Sequence, residues 1–166
     1  MPALALALAS CAREGPPAPL EASQTMQEFA MTQTAKGVRI WALDAPVARV
    51  SLEGAAVLDH PEIRFYRDGR HASTARSLTA TVRGDGKDVA LVGQVVITSL
   101  SDKTVLRTER LDYSAETERF RTEEAVVVER PDAVLHGRGL EADATLDNIT
   151  IYHQETRIKA AEAPKR

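Results

Sequence analysis

From Met26 onward the chain alternates apolar and polar residues in short runs, the period of two that marks strands buried on one face. The runs are MQEFAMTQT and VRIWALDA, joined at Lys36-Gly37, then VLDHPEIRFYRD, STARSLTATV, DVALVGQVVITS, TVLRTERLDYS, RFRTEEAVVVE, AVLHGRGLEADATL and NITIYHQ. Turn-forming clusters separate them: Arg67-Asp68-Gly69, Gly84-Asp85-Gly86, Ser101-Asp102-Lys103, Glu116-Thr117-Glu118 and Pro131-Asp132. No stretch after Met26 holds an apolar helical stripe over three turns. Short strands joined by tight turns predict an all-β domain: a sandwich, a barrel or a roll.

A weak internal repeat narrows the choice. IWALDAPVAR, STARSLTATV, LRTERLDYSA and LHGRGLEADA superpose with Ala45, Leu78, Leu111 and Leu140 in register, at spacings of 33, 33 and 29 residues. In the third copy the apolar side chains run Leu106, then Leu111 and Tyr113, so the parity slips between Thr108 and Leu111. In the fourth, Leu135 and Leu140 slip likewise around Gly139. A slip at the same place in successive copies predicts a bulge that bends each strand, so the sheet curls into a stack of rungs rather than lying in a flat sandwich.

The composition fits a β-domain with an aliphatic interior: 43% of residues are hydrophobic but only 4% aromatic. A net charge of −3 gives no electrostatic case for nucleic acid. The single cysteine, Cys11, excludes an internal disulfide. It ends the run MPALALALAS, and Leu8-Ala9-Ser10-Cys11 resembles the lipobox of bacterial lipoprotein signals, which implies cleavage before Cys11 and lipid attachment to it. Ten apolar and small residues are too few to span a bilayer, which needs about 20. No Lys or Arg precedes Cys11, so the expectation is a translation start further upstream. The proline-rich AREGPPAPLEASQ that follows predicts an extended tether. The expected organisation is a signal peptide over 1–10, a lipidated flexible tether over 11–25, one β-domain over 26–155 and a polar tail over 156–166.

Polar residues give little sign of catalysis. His60, His71, His136 and His153 are scattered without metal-ligand spacing, and no cofactor is expected. Gly84-Asp85-Gly86 and Gly137-Arg138-Gly139 lack the context of a phosphate loop and read as a turn and a bulge. Glu123-Glu124 and Asp112 read as solvated acids, because neighbours on a strand face opposite ways. Arg64, Arg67 and Arg70 read as a solvated loop or as contacts to anionic groups at an opening.

In order along the chain, MQEFAMTQTAKGVRIWALDA, LVGQVVITS and LRTERLDYSAETERFRTEEAVVVERPDAVLHGRGLEADATLDNITI resemble the LptC family, over about Met26 to Tyr152. The resemblance implies an open β-jellyroll and a non-enzymatic role. Such a protein accepts lipopolysaccharide from the LptB-LptF-LptG transporter and passes it to LptA, in a periplasmic bridge of like-folded domains. Members are usually held by one transmembrane helix; the lipobox here implies a lipid anchor instead, expected in the inner membrane. Alternatives are an LptA-like component elsewhere in the bridge, a carbohydrate-active jellyroll enzyme and a structural envelope lipoprotein.

A lipid carrier needs inward apolar positions of modest size, because each methylene left in water costs about 0.8 kcal/mol. The expected lumen residues are Ile63, Phe65, Leu78, Ala80, Leu91, Val95, Ile97, Leu106, Leu111, Tyr113, Phe120, Val126, Val128, Leu140 and Ala142. The same positions also suit plain core packing. Gly93 reads as a bulge or as space inside the roll, and the parity slip leaves the side taken by Trp41 open. The last strand, with Ile149, Ile151 and His153, is the expected partner edge, since it is short, β-branched and free of proline.

Overall fold

The computed structural model describes residues 22–156, and the regular elements within them are all β-strands. They are β1 (Ala22–Ala35), β2 (Val38–Ser51), β3 (Ala56–Asp59), β4 (Glu62–Arg67), β5 (Arg70–Arg76) and β6 (Thr79–Val82). β7 (Asp88–Ser99), β8 (Val105–Ser114), β9 (Arg119–Glu129), β10 (Val134–Asp143) and β11 (Ile149–Thr156) complete the set. β1 begins at Ala22, ahead of the expected boundary at Met26, because Ala22, Gln24 and Thr25 already pair with Ser51, Val50 and Arg49 of β2.

All pairings are antiparallel, and they follow chain order once two broken strands are recognised. β3 and β4 both pair with β2, β5 and β6 both pair with β7, β3 faces β6, and β4 faces β5. VLDHPEIRFYRD and STARSLTATV are therefore single rungs, interrupted at His60-Pro61 and Ser77-Leu78. Eleven strands with two such breaks give a meander of nine bent rungs, with β1 at one free edge and β11 at the other.

The breaks and bulges lie on one line across the sheet. Glu28 of β1 has a positive φ of 52° and sits opposite Pro46 of β2. The Ala45-Pro46 pair of β2 faces His60-Pro61, which faces Ser77-Leu78, which faces Gly93-Gln94 of β7. The line continues through the register shift between Thr108 and Asp112 of β8, past Glu123-Glu124 of β9, to Gly139 of β10. Prolines lack the N–H that a ladder uses, and Gly93 and Gly139, at φ of 80° and 75°, adopt a backbone that other residues strain to reach. The bend expected from the slips at Thr108/Leu111 and around Gly139 is thus a crease running through the whole sheet, which folds it into two facing leaves. The domain is an all-β, jellyroll-like roll.

The first leaf holds β4, β5, the first halves of β2, β8 and β10, and the last halves of β1, β7, β9 and β11. The second leaf holds β3, β6 and the remaining halves. Contacts between them show that they close on each other. The Phe65 ring of the first leaf lies 4.8 Å from Tyr113 and 4.9 Å from Phe120 of the second, centroid to centroid. At the lips, Arg67 of β4 reaches Asp143 and Asp147 at the β10–β11 turn, at 3.2 and 2.7 Å.

Candidate functional site

The space between the leaves is built by alternation that restarts at the crease. In β8 the buried side chains are Leu106 and Thr108 on one side of the bulge and Leu111 and Tyr113 on the other. In β3 and β4 they are Ala56 and Leu58, then Ile63 and Phe65; in β2 those that join the core are Trp41, Leu43 and Ala45, then Ala48, with Ala42 also buried but outside that cluster. One slip per rung keeps both leaves apolar on their inner faces even though the strand turns a corner between them.

Fourteen of the fifteen expected lumen residues meet in this interior: Ile63, Phe65, Ala80, Leu91, Val95, Ile97, Leu106, Leu111, Tyr113, Phe120, Val126, Val128, Leu140 and Ala142, none more than 2% exposed. Leu78 does not. It is 41% exposed and lies on the outer surface, over Gly93, where a Cβ would stand 3.1 Å from its own. Counting inward positions from Ala75 makes Ser77 face in, while counting back from Ala80 makes Leu78 face in. The crease falls between them, Ser77 is the buried one, and Leu78 caps the bend with its N–H donating to the Gly93 carbonyl at 2.9 Å. Trp41, whose side the sequence leaves open, is fully buried, and Leu43 and Leu58 join it in the interior without having been expected there. Both carried a signal: Leu43 alternates with Trp41, and Leu58 lies just before the His60-Pro61 break.

The interior is capped unequally. Tyr113 and Phe120 meet as tilted rings with centroids 5.3 Å apart and, with Phe65, form an aromatic cluster bridging the leaves. Beyond it the lips are clasped around Asp143. Asn148 Nδ2 donates to its carboxylate at 2.7 Å and the Asp147 N–H at 3.0 Å, with Thr145 Oγ1 at 3.0 Å and Arg67 at 3.2 Å. Burial alone would raise the Asp143 pKa, but the bonds from Asn148, Thr145 and Arg67 outweigh it and hold the carboxyl below its ordinary value. Ser73 Oγ also donates to the Ala144 carbonyl across the same gap. At the two ends the apolar face continues to the free edges: Met26, Phe29 and Met31 of β1, Leu135 of β10, and Ile149 and Ile151 of β11 are half-buried against the core.

The outer surface has a different chemistry. A groove of about 920 Å³ is lined by Arg83, Arg110, Arg119 and Arg121 together with Asp88, Asp112 and Glu141. These pair as Arg83–Asp88 at 3.2 Å, Arg110–Asp112 at 3.0 Å, and Arg119 and Arg121 on Glu141 at 3.1 and 2.8 Å. Arg64 pairs with Asp44 of the neighbouring strand, Arg67 is the clasp, and Arg70 is exposed in the β4–β5 hairpin. The three arginines of that segment therefore do not converge on one site. Among the described residues no group of three or more His, Cys, Asp or Glu side chains is placed to hold a metal ion. No helix among them is long and apolar enough to cross a membrane. Cys11 lies outside the described residues.

The expected partner edge is positioned by β10. The Asp143 N–H donates to the Asn148 carbonyl at 3.2 Å, and the register of β11 on β10 continues unbroken from Ala142↔Ile149 to Leu135↔Thr156. In an antiparallel ladder that bond fixes the phase of the first half of β11: Ile149 and Ile151 then turn their backbone N–H and C=O away from β10, toward the free edge, whereas His153, beyond the crease, brings its carbonyl oxygen close to Gly137. Ile149 and Ile151 meanwhile send their side chains inward.

A family model described as lipopolysaccharide-assembly, LptC-related, matches residues 8–159. A search of curated proteins finds no match to the chain.

Proposed function

The chain belongs to the LptC-related lipopolysaccharide-assembly family and takes part in lipopolysaccharide transport, and from that premise we propose that it is a non-enzymatic carrier whose two leaves hold the acyl chains of lipopolysaccharide. The observation that carries this reading is the continuity of the inner face: apolar side chains run from Met26 and Phe29 at the β1 edge through the buried rows to Ile149 and Ile151 at the β11 edge. A filled core has no need to extend its apolar rows to both free edges. A path handed from one like-folded domain to the next does.

In this reading the β1 edge faces the LptB-LptF-LptG transporter and the β11 edge faces LptA. β-Augmentation joins the sheets, so the inner faces become one covered track across the periplasm. Cys11 carries the lipid that tethers the chain, to the inner membrane; loss of fatty-acid incorporation in Cys11→Ala checks that attachment.

Val128→Arg tests the carrier reading. Val128 is fully buried on β9, and a guanidinium there puts a desolvated charge in the acyl path. The expected result is loss of lipopolysaccharide binding by a protein whose circular dichroism is still that of a β-domain. Undiminished binding by the folded variant contradicts the proposal.

A further inference from the structure

Among the described residues two polar groups in the interior have no hydrogen-bond partner: the indole Nε1 of Trp41 and the hydroxyl of Tyr113. Their side chains are closed to solvent, at 0% and 2% exposure. Both adjoin Phe65. Trp41 is its register partner between β2 and β4, and the Tyr113 ring approaches it from the opposite leaf at 4.8 Å. Phe65 thus neighbours both residues that carry an unused donor, in surroundings that are otherwise largely aliphatic and aromatic.

Buried polar groups are paired in the great majority of folded proteins, because a donor stripped of water and given no acceptor destabilises the fold. A core selected for packing alone would be better served by Phe at position 113, which keeps the ring and sheds the unpaired hydroxyl. Burial, with a smaller contribution from Glu118, pushes the Tyr113 pKa well above that of an ordinary tyrosine, so the hydroxyl keeps its proton. The Trp41 N–H can only donate. Both groups therefore call for an acceptor oxygen.

Resting on the carrier reading, we infer that Trp41 and Tyr113 form a polar subsite for an oxygen atom borne by the acyl ligand. The interior then favours acyl chains with a hydroxyl, ester or amide oxygen over unsubstituted ones. Phe65, the neighbour of both, is the ring that such a chain displaces when it enters. The rest of the chain lies along the aliphatic rows, which make no distinction between the two kinds of ligand.

The test compares 3-hydroxytetradecanoate with tetradecanoate, which share a carboxylate and a length and differ by one oxygen. The full chain is titrated with each, and emission from its single tryptophan, Trp41, reports binding. Wild type is expected to bind the hydroxy acid about three- to ten-fold more tightly, the net worth of one hydrogen bond. Tyr113→Phe should lose most of that preference while its affinity for tetradecanoate and its melting temperature are maintained or raised. A hydroxyl with only a packing role would leave the ratio unmoved. Equal affinities in wild type, or a preference retained in Tyr113→Phe, overturn this inference and leave the carrier reading standing. Failure of both acids to bind overturns the carrier reading and this inference with it.

Discussion

Leu111 is sealed between the leaves beside the aromatic cluster, so removing its outer carbons opens a hole that the surrounding strands, tied into one ladder, close only in part. Leu111→Ala should cost about 2–5 kcal/mol in denaturant unfolding. Leu78 holds the same place in the repeat but lies outside, 41% exposed over Gly93, and Leu78→Ala should cost under about 1 kcal/mol. Similar losses at the two positions would mean that the crease does not separate inside from outside as described. The pair also shows what a sequence conveys at this scale. Alternation assigns a side wherever a strand runs straight, as at Val126 and Val128. At the crease two countings meet, and only the backbone at Ser77-Leu78 decides between them. Trp41 was undecided for the same reason, with Ala45-Pro46 a few residues along its strand.

Among the described residues β11 pairs with β10 alone, which leaves its other edge free. The ladder phase set at Asp143–Asn148 makes Ile151 a residue whose N–H points to that free edge, so proline there removes a donor that β10 does not use. Ile151→Pro should therefore weaken pull-down of an LptA-like partner while the melting transition persists; full partner binding by the folded variant would sink the docking assignment. Gly137 explains why the strand lies so close to its neighbour. A Cβ there would stand 2.3 Å from the Ile151 Cγ2 and 2.8 Å from the His153 carbonyl oxygen, so a side chain at 137 would push the edge away. Glycine-rich Gly137-Arg138-Gly139 was legible as a bulge from sequence, and the bulge lies between Arg138 and Leu140. The close approach of Ile151 to Gly137 was not, because it depends on which strand lies alongside.

At the scale of the molecule, the crease divides one meander into two leaves, and the contacts across the gap decide where it is shut. The aromatic cluster and the Arg67–Asp143–Asp147 clasp close one stretch of the lips, while the half-buried apolar side chains at β1 and β11 mark where the inner face reaches the edges. The curl was readable from the recurring parity slip, since a strand can keep its apolar face inward around a bend only by changing parity. The clasp was not, because Arg67 and Asp143 are brought together by the closing of leaves whose local sequences carry no sign of each other. The central claim is that acyl chains travel on the inner side of this folded sheet. A photo-crosslinker placed at Leu111 or Val128, both buried within it, should capture lipopolysaccharide strongly, and one at the adjacent Asp112 or Val127 much less. Equal capture at both parities would contradict the account.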